Sequence, residues 1–170
     1  RMALSRLARQ GKLQRLAHGL YASPNVEQTF DFQLIVAAHV VPAGVLTLLS
    51  ALQFHGLTTE TPHRIWIAVP QKSAVKKQTV LPLKIVYYSG PAYKEGREKH
   101  LISGFPVFVY SPAKTVADCF KFRNKIGLDI AIQALKESLR KKLCSVDELW
   151  YSASICRVAN VMQPYLESLQ

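Results

Sequence analysis

Acidic residues are scarce in this chain, and their scarcity limits the chemistry that it can perform. Only 11 of the 170 residues are Asp or Glu, against 22 Lys and Arg, so the formal net charge is +11. Metal-dependent nucleases need two or three carboxylates that converge on a divalent ion. Asp129, Asp147 and Glu148 fall in the first turns of predicted helices, where they complement the helix dipole. Glu95 and Glu98 lie among basic neighbours on a segment predicted to be solvated, so an enzyme is the less favoured class.

Cysteines, long apolar runs and cofactor motifs are also scarce or missing. The three cysteines, Cys119, Cys144 and Cys156, form no CxxC pair and are predicted to be buried free thiols of a reducing cytosol. No apolar run reaches the roughly 18 residues needed to span a bilayer. The sequence has no phosphate-binding loop and no nucleophile elbow. Its histidines are scattered, and His39 is interpreted as a core residue. We therefore expect a cytoplasmic protein without a metal, a cofactor or a membrane partner.

Asp118 is the one carboxylate that these explanations leave open. It lies four residues after Lys114 on a predicted helix that also carries Val116 and Phe120. We interpret Asp118 as a partly buried acceptor of a structural hydrogen bond. The alternative is a DNA-processing enzyme, or an accessory subunit of one, in which Asp118 and Lys114 are catalytic.

The apolar periodicity predicts an α/β (α+β) protein in which a mixed sheet is covered by helices. A helix over residues 1–10 and a short hairpin come first. The body is then predicted to contain helices 29–41 and 45–55, strands 64–69, 83–88 and 106–110, a short helix near 93–101, and helices 112–123, 128–142, 146–155 and 157–169. Ser111 and Pro112 fit a helix start, and Ser145 with Glu148 fits a capping box.

The first 24 residues hold five basic side chains and no acid. A basic helix followed at once by a basic hairpin is typical of the second half of a winged helix-turn-helix, whose helix enters the major groove while the hairpin lies along the DNA backbone. We therefore predict two domains, 1–24 and 25–170. The alternative is an ordinary solvated helix with outward arginines. The predicted DNA-binding residues are Arg1, Ser5, Arg6, Arg9, Lys12, Arg15 and His18.

Three blocks of the sequence carry motifs of moderate specificity. The block LSRLARQGKLQRLAHGLYASP, residues 4–24, resembles the recognition helix and wing that end the N-terminal winged-helix domain of the AbiEi-family antitoxins of bacterial type IV toxin–antitoxin systems. The blocks SALQFHGLTTETPHRIWIAVP (50–70) and VYSPAKTVADCFKFRNKIG (109–127) resemble segments of the family's body. The positions that match in the first block are Leu4, Arg6, Leu7, Gly11, Leu13, Arg15, Gly19, Leu20 and Tyr21.

The resemblance implies a two-part protein that is not an enzyme. Its N-terminal domain would bind operator DNA with inverted repeats and repress its own operon. Its body would neutralise a cognate nucleotidyltransferase-like toxin, with or without a stable complex. The chain departs from the family because the first helices of the winged domain are missing. We therefore expect the natural protein to begin earlier, and this chain to bind an operator more weakly than a full-length one.

Basic clusters in the body supply a candidate surface for the toxin. Lys72, Lys76 and Lys77 lie on one predicted loop. Residues 140–142 are also basic, but at the end of a helix they complement its dipole. A further alternative is a DNA-binding regulator whose body senses a ligand. The second group of the candidate surface, at the end of another predicted helix, is Lys121, Arg123 and Lys125.

Overall fold

A mixed five-stranded sheet organises the chain, which a computed structural model describes over residues 2–75 and 80–170. The helices in this described part are α1 (Met2–Arg9), α2 (Phe30–Val40), α3 (Leu48–His55), α4 (Pro91–Lys94), α5 (Pro112–Lys121), α6 (Arg123–Ile126), α7 (Leu128–Arg140), α8 (Val146–Ile155) and α9 (Ala159–Ser168). The strands are β1 (Gln14–Ala17), β2 (Leu20–Ala22), β3 (Val45–Leu46), β4 (Ile65–Pro70), β5 (Leu83–Tyr88), β6 (Arg97–Ile102) and β7 (Phe105–Tyr110).

The sheet has the strand order β5-β4-β3-β7-β6. Strand β4 is parallel to β5 and antiparallel to β3, whereas β7 is parallel to β3 and antiparallel to β6. Strands β1 and β2 form a separate antiparallel hairpin. The predicted α/β class, with a mixed sheet covered by helices, is therefore confirmed.

Apolar side chains pack on both faces of the sheet. Because successive strand residues point to opposite faces, Val109 joins one cluster and Tyr110 the other. The Val109 cluster includes Leu34 of α2 and Leu16 of β1. The Tyr110 cluster is filled from α3, α5, α7, α8 and α9. Within residues 2–75 and 80–170, the structure has no helix with the length and apolar character to cross a membrane.

Two of the predicted elements are wrong. The helix predicted from residue 45 begins only at Leu48, because Val45 and Leu46 form β3 between β4 and β7. The helix predicted near 93–101 is instead one turn, α4, followed by β6. Every residue of β6 pairs with β7, and this long-range ladder overrides the local preference of the segment.

The predicted helix caps are confirmed. The Ser145 Oγ atom accepts a hydrogen bond from the backbone of Glu148 at 3.1 Å, and Glu148 Oε2 accepts one from the backbone of Ser145 at 2.7 Å. Ser111 caps α5 by accepting a hydrogen bond from the backbone of Lys114 at 3.2 Å, with Pro112 in the first turn. These caps satisfy backbone donors that a helix start leaves unpaired.

Helix α5 is surrounded by protein, and residues 113–120 are all buried. The two charged side chains within this buried stretch, Lys114 and Asp118, are therefore paired with each other. The Lys114 ammonium donates to both carboxylate oxygens of Asp118, at 2.8 and 2.7 Å, and both side chains are only 1% exposed. Asp118 is thus half of a fully buried ion pair, rather than the partly buried hydrogen-bond acceptor that the sequence predicted.

Aromatic rings and a thiol complete the surroundings of this pair. Lys114 Nζ lies 4.0 Å from the centre of the Tyr110 ring and 5.0 Å from that of Tyr88. Cys156 Sγ donates to Asp118 Oδ1 at 3.2 Å. Burial raises the pKa of Asp118, and the Lys114 ammonium opposes that rise. Cys119 and Cys156 are buried as predicted, whereas Cys144 is only half-buried.

Replacing Asp118 by alanine should destabilise the fold strongly. The substitution leaves the Lys114 ammonium buried without its partner, which costs roughly 3–5 kcal/mol. Removing both charges, as Lys114→Met with Asp118→Leu, should recover most of that loss. Urea unfolding measures the effect, with the exposed Glu27→Ala as the control. A loss under about 1 kcal/mol in Asp118→Ala would show that the charges do not depend on each other.

Candidate nucleic-acid interface

The N-terminal helix is followed directly by the hairpin, as the sequence predicted. None of the residues of α1 is buried. The helix ends where the Lys12 amide donates to the Leu7 carbonyl at 3.0 Å, across Gly11 with a φ of 71°. The left-handed conformation favours glycine at this helix end. The chain then enters β1 after only a few residues, so helix and hairpin form one continuous surface.

Contacts with α1 and with the body hold the hairpin in place. The Ser5 hydroxyl of α1 and the Tyr21 hydroxyl of β2 are hydrogen-bonded at 3.0 Å. Leu16 of β1 is only 3% exposed and packs in the cluster that contains Leu34 of α2. The hairpin is therefore attached both to α1 and to the body. Leu16 precedes the domain boundary predicted at residue 24, yet it packs in the same cluster as Leu34, which follows that boundary. The boundary itself stays a prediction.

The described basic side chains of this region face outward. Arg6, Arg9, Lys12, Arg15 and His18 are all exposed. On α1, Arg6 and Arg9 line one groove together with the half-buried Ser5. On the hairpin, the Arg15 guanidinium donates to His18 Nδ1 at 3.3 Å. The structure thus groups the predicted residues in two sets, one on the helix and one on the hairpin. Arg1 lies outside the described residues.

The prediction that His39 is a core residue is wrong. His39 is exposed near the end of α2, and it is not the core residue that was expected. Leu34, Ala37 and Val41 recur at helical spacing and are buried, which places His39 on the opposite side of the helix. The spacing of these three apolar residues is the sequence signal that could have placed His39 on the exposed side of the helix. His39 lines a cleft of about 350 Å³ together with Leu4, Ser5, Arg15, His18, Gly19 and Tyr21.

The predicted basic surface of the body is only partly available for contact. Lys72, Lys121 and Lys125 are exposed. Arg123 is half-buried, and its Nη1 donates to the Phe120 carbonyl at 2.9 Å, so this guanidinium caps the end of α5. Such a local bond complements the negative end of the helix. The other two predicted residues, Lys76 and Lys77, lie outside the described residues.

A second cleft, of about 590 Å³, brings together acids that the sequence analysis assigned to separate roles. Its walls come from the end of α3, from β6, from the start of α5 and from α8. No segment of the sequence contains these groups together, so only the tertiary fold shows the cleft. No group of three or more described His, Cys, Asp or Glu residues is placed to hold a metal ion. The carboxylates that line the cleft are Glu95, Glu98, Asp147 and Glu148.

His55 forms part of the wall of this cleft and joins two elements of the fold. Its Nε2 donates to the Tyr110 carbonyl at 2.7 Å. Burial lowers the pKa of His55 and the hydrogen bond to Tyr110 opposes that change; the Glu98 carboxylate also raises it and the His100 ring lowers it. The neutral imidazole can make this bond, so the folded state does not need a charge on His55.

The stability of the fold should decrease in acid because of His55. The pKa of His55 in the folded state lies below its ordinary value of 6.5. The unfolded chain therefore binds more protons as the pH falls through and below 6.5, and the free energy of unfolding falls by at most about 1.4 kcal/mol per pH unit. Urea unfolding at several pH values should show this slope. It should shrink in His55→Gln and persist in the control His63→Gln, and equal slopes in all three would contradict the assignment.

No protein-family model matches the chain, and no curated protein matches it. The resemblance to AbiEi-family antitoxins therefore stays a prediction from three blocks of sequence. Any functional conclusion depends on the geometry of the described residues.

Proposed function

We propose that this chain is a DNA-binding autorepressor and antitoxin. The observation that carries the proposal is the pairing of α1 with the β1–β2 hairpin through Ser5 and Tyr21. This pairing presents two groups of exposed cations, and no residue before Glu27 is acidic. Duplex DNA attracts such a surface because each phosphate neutralised releases condensed counterions.

The two elements have different tasks in this proposal. Arg6 and Arg9 on α1 reach base edges and phosphates in the major groove, while Arg15 and His18 hold the adjacent backbone. The hydroxyl contact between Ser5 and Tyr21 fixes the angle between helix and hairpin. A fixed angle supports specific recognition, because less flexibility is lost when the DNA binds.

The body neutralises the toxin in this proposal, and it does so without catalysis. The enzyme alternative would make Lys114 and Asp118 catalytic. These two side chains bond to each other inside the core, which supports a role without catalysis. Lys121 and Lys125 are exposed and remain candidates for contact with an acidic partner surface. Arg123 contributes less than expected, since its guanidinium already bonds to α5.

One observation favours a second candidate, a DNA-binding regulator whose body senses a ligand. The cleft of about 590 Å³ lies in the body, away from the basic helix and hairpin. A cleft of this size is within the range of ligand sites. Rescue of growth from a toxin separates the two candidates, because a ligand sensor does not protect the cell.

Reversing the arginine charges on α1 should abolish DNA binding. Duplexes selected from a random library provide the probe, and fluorescence anisotropy at several salt concentrations measures affinity. Arg6→Glu with Arg9→Glu places negative charge against phosphate, and each lost phosphate contact should lower the log–log salt slope by about 0.9. The matched control, Lys121→Gln with Lys125→Gln, should bind as the unchanged chain does. Equal loss in both variants would contradict an interface on α1.

The same two variants should have the opposite effects on toxin neutralisation. The chain is expressed together with the product of its neighbouring gene, and growth is measured. Lys121→Gln with Lys125→Gln should weaken the rescue, because charged contacts with the partner are lost. The α1 variant should rescue normally. Metal-dependent cleavage of DNA that disappears in Asp118→Asn would instead favour the enzyme alternative, and loss of rescue in the α1 variant would contradict the two-part assignment.

A further inference from the structure

We propose that the cleft of about 350 Å³ between α1, the β1–β2 hairpin and α2 binds one phosphate of the DNA backbone, and that His39 of the body belongs to this site. The inference rests on the proposed function and deepens it, because it adds a residue of α2 to an interface otherwise made by α1 and the hairpin. We call this cavity the hairpin cleft.

The hairpin cleft collects polar side chains from elements that are separate in the sequence. Three of these side chains carry or can gain a positive charge, and all three are exposed to solvent. The polar side chains that line the cleft are Ser5 of α1, Arg15 of β1, His18 of the turn, Tyr21 of β2 and His39 of α2.

The charge of the hairpin cleft selects an anion. Its charged and titratable side chains, taken from every element that lines it, are Arg15, His18, Tyr21 and His39, and none of the described residues that line it is a carboxylate. The acidic cleft of the body is the opposite case, since four carboxylates line it. An anion near Arg15 therefore meets positive charge that no neighbouring acid in the cleft cancels.

Arg15 and His18 present hydrogen-bond donors to such an anion. The Arg15 Nε donates to the Ala17 carbonyl at 3.4 Å, and its Nη2 donates to His18 Nδ1 at 3.3 Å. These bonds orient the guanidinium and leave its other N–H groups available. Because arginine only donates, Nδ1 of His18 accepts, and the ring proton of the neutral imidazole lies on Nε2. The pair therefore offers N–H groups from two side chains.

The hydroxyl contact between α1 and the hairpin supplies a neutral donor. Ser5 and Tyr21 share one hydrogen bond at 3.0 Å, so one hydroxyl gives its hydrogen and the other keeps its own. Both side chains line the hairpin cleft. The remaining hydroxyl hydrogen can thus be donated to a phosphate oxygen, which is a common contact in DNA complexes.

A phosphate within a polymer fits this surface better than a free anion does. Ser5 lines the hairpin cleft and also the groove along α1 that Arg6 and Arg9 line. The two cationic sites are therefore continuous. Successive phosphates of one DNA strand can occupy both sites, whereas a free phosphate ion occupies only one of them.

His39 makes the site sensitive to pH. Histidine is the side chain that ordinarily changes its charge between pH 5 and 8. A phosphate bound beside the exposed imidazole favours the charged form of the ring. DNA binding should therefore take up a proton, and the affinity should rise as the pH falls.

Fluorescence anisotropy with the selected duplexes at pH 8 and pH 6, at one ionic strength, tests this site. The unchanged chain should bind about tenfold more tightly at pH 6. His39→Gln keeps a hydrogen-bond donor but cannot gain a proton. It should bind equally well at pH 8, lose most of the gain at pH 6, and show a log–log salt slope at pH 6 that is smaller by up to about 0.9.

Two further variants separate charge from structure. His39→Arg carries a permanent charge, so it should bind at pH 8 about as tightly as the unchanged chain does at pH 6. The matched control His63→Gln changes an exposed histidine before β4 and should keep the full dependence on pH. Thermal unfolding at both pH values confirms that the variants fold.

The outcomes distinguish this site from the proposed function as a whole. If the chain binds duplexes but His39→Gln and His63→Gln behave alike at both pH values, the site is overturned and binding by α1 is not. If the unchanged chain binds no duplex, both are overturned. Calorimetric titration with inorganic phosphate covers the free anion. Phosphate should bind at least about a hundredfold more weakly than the duplex, and an equal affinity would overturn the assignment to the DNA backbone.

Discussion

The ion pair between Lys114 and Asp118 is the contact on which the packing of the body depends. A helix that is buried along residues 113–120 cannot send charged side chains to water. The spacing of four residues lets the pair close within α5 itself. Neighbouring elements then need to supply only aromatic faces and one thiol, from Tyr88, Tyr110 and Cys156. Because the charges are satisfied internally, α5 can serve as the centre around which α3, α7, α8 and α9 pack.

The same helix also positions two candidate surfaces of the body, the acidic cleft and the basic end of α5. Its first turn, with Ser111 and Lys114, forms part of the acidic cleft. The Tyr110 carbonyl just before it accepts hydrogen bonds from both His55 and Thr115, which joins α3 to the start of α5. Its last residue, Lys121, is exposed to solvent. The cleft and the basic end of α5 are therefore held at fixed positions by one buried element, so a change in its core pair would disturb both.

Most of the fold could be predicted from the sequence, because helix caps, helices and hairpins depend on residues that are close together in the chain. The capping of α5 and α8, the helix and hairpin of the N-terminal region and the α/β class were all available from spacing and residue type. Strand β6 could not be predicted from spacing and residue type, since only its pairing with β7 stabilises it. The full burial of Asp118 and the exposure of His39 were missed because burial depends on which elements pack together. The acidic cleft was missed for the same reason, as its carboxylates come from distant segments.

Charge is segregated in this molecule, and the segregation has a physical consequence for partner selection. Four of its 11 acids line one cleft, while the N-terminal helix and hairpin carry none. A polyanion is therefore attracted to one end and repelled by the cleft, whereas a cationic group has the opposite preference. Since like-charge contacts at an interface cost roughly several kcal/mol, a polyanion is disfavoured in the cleft, and a cationic group is disfavoured on the N-terminal helix and hairpin. The uneven distribution of charge thus directs a polyanion to the N-terminal helix and hairpin, and a cationic group to the cleft of the body.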